Sequence, residues 1–493
     1  MDEAIPVIVG VGQVEDRPGD PFAGLDSVGL MVAALKAADQ HAGGGWLADV
    51  DSLAVVSQLS FPELNPATAR VAEGIGAVPA HSFQTATPSG DSPILLLNEA
   101  ANRIARGESL VCAVTGGEAL RTAAGRAAAQ AKEHDALRNA THRRIVGYGP
   151  SYGLVIPIEI YPLIENAYRA HVGQTLAEAQ RESGEIWAGM SEVAARTPSA
   201  WLHEPRTAEE IVAAGPGNRP IAFPYTKLQV ANSSVNQGAG FLVTSLAEAR
   251  RRGVPEDRLI YVGMGAAAHA PMNILKRDKY YASSSMSAAI THALSFNRLT
   301  VDDLDHVELY SCFPCVPKMA RRVLGWPEER DITVFGGLTF GGGPIGNYMA
   351  HPLACMVDKL RSGGGTGFLY ANGGYATHHH AIAISAEPLP AARFPQDFDV
   401  QAQADEARGP VPPIDEEYRG AATIETYTVF YNRDGSPKNG VIVALTPEGT
   451  RTLANVPGDD SEMIDFLTDG GVEPVGTSGP IVDGADELAR WRA

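Results

Sequence analysis

The chain has 493 residues, of which 44% are hydrophobic and 20% charged, and a formal net charge of −19. That length is too great for a single core, so two or three domains are expected. The negative balance argues against nucleic acid or an anionic membrane surface as a partner, while leaving room for a local basic pocket around a phosphorylated ligand.

No run of 18 or more apolar residues occurs, so no membrane insertion is expected. The N-terminus, Met1-Asp-Glu-Ala-Ile-Pro-Val-Ile-Val9, lacks the basic region of a signal peptide and opens directly on a strand pattern. Four cysteines, Cys112, Cys312, Cys315 and Cys355, sit in apolar contexts. Their sparseness suits a reducing cytoplasm without a disulfide framework.

An internal repeat organises the first 390 or so residues. Ser27 to Ala38 reads as a helix, Asp49 to Ser57 as a strand and Ala69 to Ile75 as a helix. A second helix over Gly90 to Arg106 and a strand over Ser109 to Val114 complete the first copy. Ser285 to Phe296, Asp303 to Ser311, Lys318 to Leu324, Tyr348 to Arg361 and Gly367 to Tyr370 repeat the order. Two copies of one α/β unit predict two similar halves, each with a sheet.

Between the first half's strands lies a mostly helical insertion, roughly residues 121–230, with helices over Glu159 to Ala170 and Leu176 to Ala195. After about Pro390 the character changes. Asp397 to Tyr418 is acidic and broken by Pro410, Pro412 and Pro413, the pattern of a linker. Strands over Ala422 to Tyr431 and Gly440 to Leu445, with turns at Asn432-Arg-Asp-Gly435 and Thr446-Pro-Glu-Gly449, predict a small β-module. A short helix at Ser461 to Leu467 and a Gly-rich tail follow. The expected domains are residues 1–275, 276–392 and 393–493.

The segment Thr87-Pro-Ser-Gly90-Asp-Ser-Pro93 leads into the helix ending near Gly107, and the next strand ends in Gly116-Gly-Glu118. This pattern resembles the thiolase superfamily, in which a cysteine opens a buried helix and a strand ends in Gly-Gly-x-Glu. The resemblance implies an αβαβα five-layer fold, with the insertion as a loop domain over coenzyme A. Counting back from Gly107 and Glu118 puts the nucleophile's place at Gly90, and a glycine cannot form an acyl-enzyme.

Other thiolase positions have changed too. The polar residue that opens the loop after the second repeat's strand becomes Tyr310, in Tyr310-Ser-Cys312-Phe313. The histidine of Gly-His-Pro falls on Tyr348, with the literal Ala350-His351-Pro352 about one turn later. The Cys-x-Gly-Gly-Gly motif reads Tyr370-Ala-Asn372-Gly373-Gly374, so the acid/base cysteine is gone as well. Ala231-Asn-Ser233-Ser-Val-Asn-Gln-Gly resembles the thiolase loop whose serine contacts pantetheine, which gives Ser233 that role.

Losing both thiols removes covalent acyl transfer and leaves the thioester cradle, with backbone N–H groups of Gly90 and Gly374 as oxyanion donors. Thiolase-fold retro-aldolases that shorten steroid side chains lack the cysteine and use a tyrosine pair beside a separate OB-like partner. The chain resembles them, and with its fused C-terminal module it is similar to the thiolase-like protein type 1 group, usually labelled acetyl-CoA acetyltransferase. The resemblance implies an OB-like small β-barrel and non-covalent C–C bond chemistry on a CoA thioester. Tyr310 and Tyr348 would be its acid and base, with His379 in reserve. Two alternatives stand beside it: a non-catalytic CoA-thioester binder, and acyl transfer through another residue such as Cys312.

The same side chains have structural roles open to them. Tyrosines at strand ends pack in cores with the hydroxyl satisfied, and His351 can pack within its helix. Adjacent residues of the run His378-His379-His380 point to opposite sides of a strand, so no metal is expected. Cys312-Phe-Pro-Cys315 lacks a thioredoxin-like context, and the Gly341 and Gly363 runs lack a phosphate loop's Lys-Ser/Thr. Acyl-CoA is the expected ligand, a homodimer is possible through the sheet of the first half, and the location is cytoplasmic.

Overall fold

The computed structural model describes residues 4–130, 146–484 and 488–492. Among these, no helix is long and apolar enough to cross a membrane.

The first half contributes strands β1 (Pro6–Glu15), β2 (Ser52–Val55), β3 (His81–Gln84) and β4 (Val111–Ala119). The insertion adds β5 (Pro220–Ala222) and β6 (Tyr225–Thr226), and the half resumes with β7 (Asn236–Ser245). The second half's sheet takes in β8 (Ile260–His269), which pairs along its length with β11 (His378–Ser385), so that half starts before the residue 276 expected from the sequence; β9 (His306–Leu309) and β10 (Thr366–Gly373) complete it. Strand order runs β3-β2-β4-β7-β1-β8-β11-β10-β9. β2 is parallel to β3 and β4, β9 is parallel to β10, and the remaining pairs are antiparallel.

Among the described residues, the strands of the two halves pair where Val7 and Ile8 meet Tyr261 and Ile260. From that seam the sheets diverge and enclose helices Ser92–Ala105 and Ala350–Gly363, each of which touches strands of both sheets. Helices so placed must be apolar on more than one face. Ile94, Leu96, Leu97, Ala100 and Ala101 satisfy this in the first, and Leu353, Ala354, Met356 and Val357 in the second. Helices Ser27–His41 and Ser284–Asn297 cover the outer faces. The result is the five-layer αβαβα arrangement built from two repeated halves.

The C-terminal strands are β12 (Gly420–Tyr431), β13 (Pro437–Leu445), β14 (Arg451–Pro457), β15 (Ser478–Asp483) and β16 (Ala489–Trp491). They close in the order β12-β13-β14-β16-β15, with β15 returning to pair with β12. Helix Ser461–Thr468 lies between β14 and β15 in sequence. This is the small β-barrel read from the hairpin turns. The insertion joins it, because β5 pairs with β12 at Ala222 and Phe430.

The acidic stretch before the barrel is docked rather than loose. Gln396 is buried and donates to Asn98 Oδ1 at 2.6 Å, while Asn102 Nδ2 donates to its carbonyl at 3.0 Å. Helix Gln401–Glu406 packs on β8 and on helix Ser284–Asn297.

Candidate active site

Gly90 is buried two residues before the first central helix. A Cβ added there would lie within 3.0 Å of the Asn372 carbonyl oxygen, the Tyr310 hydroxyl and Tyr310 Cζ. The absence of a side chain is therefore imposed by the neighbours. A phenol hydroxyl stands in the space that a cysteine side chain would need.

Tyr310 follows β9, and its N–H donates to the Tyr370 carbonyl at 3.1 Å. Its ring meets Tyr348 edge-on, with centroids 5.6 Å apart and planes at 87°. Burial pushes both phenols well above their ordinary range, so both are protonated donors. Tyr348 donates to Glu308 Oε1 at 2.7 Å. The other carboxyl oxygen accepts from Thr333 Oγ1 at 2.8 Å and from the Val334 N–H at 2.9 Å. Burial raises the Glu308 carboxyl to about 7, against the pull of these donors.

Glu308 was not among the residues singled out from sequence. The signal was present: in a period of two, His306, Glu308 and Tyr310 share one face, so an acidic residue sits beside the tyrosine.

Gly374 lies just past β10 with φ of +61°, a left-handed backbone that favours glycine. Its carbonyl accepts from the Tyr161 hydroxyl at 3.2 Å. Tyr161 comes from the insertion helix Pro157–His171, and its ring stacks on Phe313 at 4.4 Å. The same hydroxyl accepts from Asn372 Nδ2 at 2.9 Å and from the Ala376 N–H at 2.9 Å. Nothing in the sequence around Tyr161 marks it, because its partners are about 210 residues away along the chain.

Ala376 has φ of 55°, a conformation that costs a non-glycine residue about 1–3 kcal/mol. Its carbonyl accepts from Arg277 Nη1 at 3.0 Å.

His379 pairs with a different tyrosine. Its Nδ1 bonds the Tyr370 hydroxyl at 2.7 Å, and its Nε2 faces Ser283 Oγ at 3.2 Å and the Ala376 carbonyl at 3.1 Å. Burial depresses its basicity well below the usual range. His378 stands edge-on to His269, and His380 bonds Asn98, so the three neighbours point to three places. Among the described residues, no group of three or more His, Cys, Asp or Glu side chains could hold a metal ion.

Ser233 is half-buried in the loop before β7. The Ala231 N–H donates to the Cys312 carbonyl at 3.1 Å, and the Gly343 N–H donates to the Asn232 carbonyl at 2.9 Å. The serine loop is thus tied to both the Tyr310–Phe313 loop and the Gly341–Gly343 turn. The Cys312 thiol is raised to about 12 by burial, which removes it as a thiolate. His351 is the second residue of helix Ala350–Gly363, bonded to Gln13 Oε1 at 2.9 Å and stacked on Phe335. Burial lowers it to about 3.

Glu118, the acid of Gly116-Gly-Glu118, faces away from this cluster. It accepts from the Leu59 and Ser60 N–H groups at 2.6 and 3.1 Å and ties the end of β4 to that loop.

Gly90, Tyr310, Tyr348, Asn372 and Gly374 therefore converge. His379 is adjacent through Tyr370, and Ser233 is linked through backbone.

Residues 399–485 match the family described as the thiolase-like protein type 1 additional C-terminal domain. A monomeric SCP2-thiolase-like protein type 1 from Mycobacterium smegmatis is 32% identical in sequence, with a TM-score of 0.84 over 100% of this chain and 99% of that one. An Ltp2-ChsH2(DUF35) aldolase is 18% identical, with a TM-score of 0.59 over 78% of this chain and 98% of that one. Human mitochondrial 3-ketoacyl-CoA thiolase in complex with CoA is 16% identical, with a TM-score of 0.58 over 79% of this chain and 100% of that one. These last two share the fold alone. Among curated protein sequences, none matches the chain. Similarity to the mycobacterial protein along its whole length, together with the matched C-terminal domain, establishes that the chain belongs to the thiolase-like protein type 1 family.

Proposed function

We propose that the protein binds a CoA thioester over Gly90 and performs non-covalent C–C bond chemistry of the retro-aldol type. One observation carries the reading: the Tyr310 hydroxyl stands where a nucleophile at position 90 would have its side chain. A phenol kept protonated by burial does not attack a thioester, and although burial makes it a weaker acid it still holds a proton for an enolate carbon, which is a far stronger base.

On a β-hydroxyacyl-CoA, the β-hydroxyl loses its proton and becomes a carbonyl as the Cα–Cβ bond breaks. The bonding pair moves into the thioester as an enolate, held by the backbone N–H groups of Gly90 and Gly374. Tyr348 takes the hydroxyl proton as its own passes to Glu308, and Tyr310 returns a proton to Cα. The products are an aldehyde or ketone and a shorter acyl-CoA. A carboxyl at about 7 is matched to this exchange near neutral pH. Thr333, its hydrogen-bond partner, also lines a cavity of about 260 Å³ through which the proton returns to solvent, and Tyr310 is recharged on turnover. Ser233 contacts the pantetheine arm.

A second reading is a thioester binder without turnover. What favours it is that Tyr348 and His379 are fully buried and bonded to protein partners. Incubation with a panel of β-hydroxyacyl-CoAs, followed by detection of the released carbonyl compound and calorimetry with CoA, separates the two. Cleavage that Tyr310→Phe abolishes while CoA affinity persists supports the lyase. Binding without cleavage across the panel leaves the binder, and failure to bind any thioester overturns both. An acyl adduct on Cys312 by intact mass would show that the chemistry is covalent.

A further inference from the structure

We propose that the C-terminal barrel is a clamp for the loop Gly373–Thr377, exerted through Arg451 on one side and the Tyr161 helix on the other. Ala376 and Arg298 are the non-glycine residues with positive φ among those described, and Ala376 is the one beside Gly90 and Gly374. Both polar groups of Ala376 are held. Its N–H donates to the Tyr161 hydroxyl at 2.9 Å, and its carbonyl accepts from Arg277 Nη1 at 3.0 Å. The same Arg277 nitrogen also holds the Tyr375 carbonyl at 3.1 Å.

Each arm leads to the barrel. Arg451, fully buried on β14, donates through Nη1 to the carbonyls of Leu275 and Arg277 at 2.7 and 2.6 Å. Its other nitrogens form a fork on Glu425 of β12 at 2.7 and 2.6 Å, and its guanidinium lies 5.0 Å over the Tyr280 ring. A bidentate, charge-assisted contact of this kind fixes direction as well as distance. The helix bearing Tyr161 is gripped likewise. Thr426 Oγ1 donates to the Leu163 carbonyl at 2.5 Å, Asn166 Nδ2 donates to the Tyr427 carbonyl at 2.9 Å, and Arg169 pairs with Glu473.

The left-handed turn at Ala376 is thus offset by hydrogen bonds from Tyr161 and Arg277, both of which the barrel positions, alongside the contact from His379 Nε2 to the same carbonyl. Its consequence reaches Gly90. A Cβ on Gly373 would meet Ser89 Oγ, Asp91 Oδ1 and the Gly90 nitrogen, so the loop lies directly against the segment Ser89–Asp91. Arg277, Arg451 and Tyr161 are positioning residues. The effect on thioester binding rests on the proposed function above; the clamp itself does not.

Glycine adopts this φ without strain, which supplies the test. Amide hydrogen exchange is measured by mass spectrometry on the full chain in Arg451→Met and Tyr161→Phe, each alone and combined with Ala376→Gly. Tyr161→Phe leaves the barrel untouched and serves even if Arg451→Met unfolds it. In both single variants, exchange across residues 373–377 is expected to rise about five- to tenfold, the effect of one lost net hydrogen bond. Ala376→Gly is expected to return the amides on either side of residue 376 close to the wild-type rate, which a general loosening would not do, while the residue-376 N–H itself stays unprotected in Tyr161→Phe. Unchanged exchange in both variants, or a rise at those flanking amides that Ala376→Gly leaves in place, overturns the clamp. CoA affinity, measured in parallel, should fall and recover with exchange. Exchange that responds while CoA affinity stays constant upholds the clamp and counts against the thioester reading of the loop.

Discussion

Restoring the missing thiol tests the site most directly. In Gly90→Cys the new Cβ would lie 2.6 Å from Tyr310 Cζ, with the Tyr310 hydroxyl and the Asn372 carbonyl closer still, whereas ordinary contact begins at 3.4 Å. Tyr310 is walled in by Tyr348, and the Asn372 carbonyl belongs to a buried sheet strand. Neither can give way cheaply. Overpacking of this kind costs about 1–3 kcal/mol, and a backbone atom among the opponents puts the expected loss at the upper end, about 3 kcal/mol. Tyr310→Leu removes the hydroxyl and Cζ but leaves the carbonyl. The double variant should then recover part of the loss, with a favourable coupling of about 1–2 kcal/mol. Urea midpoints for the four proteins give the cycle, and intact mass after incubation with acetyl-CoA reports acylation. The reasoning fails if Gly90→Cys unfolds at the wild-type urea concentration, or if it takes up an acetyl group while Tyr310 remains in place.

Glu308→Gln tests the buried carboxyl. Two of the three partners of Glu308 are hydroxyls that can turn to accept from an amide, while the Val334 N–H still finds the amide oxygen, so the expected cost is about 1 kcal/mol. Both Glu308 and Glu118 are raised from an ordinary 4.5 to about 7. Between those values the folded protein holds protons that the unfolded chain releases, so their contribution is full below about pH 4.5 and is lost as pH rises to about 7. Denaturation midpoints across that range should fall with pH, and less steeply in Glu308→Gln. His351 acts with the opposite sign. Lowered from 6.5 to about 3, it contributes stability above pH 6.5 that is lost as pH falls, and His351→Gln should weaken that acid dependence in the same titration. Lys318→Met strips the buried Glu165 of a partner at 2.7 Å and should cost about 3–5 kcal/mol by calorimetric unfolding.

Much of the frame was legible because it rests on local signals. The helices read at Glu159 to Ala170 and Leu176 to Ala195 are the observed Pro157–His171 and Leu176–Arg196, carried by long apolar periodicity. The two hairpin turns after β12 and β13 fell where Asn432-Arg-Asp-Gly435 and Thr446-Pro-Glu-Gly449 placed them. What escaped was settled by distant contacts. β15 and β16 are short, and the stretch after β14 is rich in Gly and Pro, so pairing around the closed barrel is what makes them strands. The same holds for β5, a three-residue strand opening on Pro220 that is held between β12 and β6. Tyr161 is one apolar-looking helix residue among several until the second half folds against it.

The residues around Gly90 form one coupled set. The space beside Gly90 is filled by Tyr310, and the Tyr370 hydroxyl holds His379. Tyr310 braces Tyr348, Tyr348 is bonded to Glu308, and the glycine loop that faces Gly90 is held from the barrel through Arg277 and Tyr161. Reversing any one member leaves a clash or a void, because the others are shaped to its replacement. A cysteine at position 90 therefore cannot restore a thiolase unless Tyr310 goes with it, and removing Tyr310 opens a hole against Tyr348. A thiolase merely decaying would shed its catalytic groups independently and leave space behind. Here the space is refilled with three protonatable phenols and a carboxyl raised to about 7. Protonated phenols beside a carboxyl near neutrality hold protons and offer no thiolate to acylate, which is what the proposed lyase reading requires.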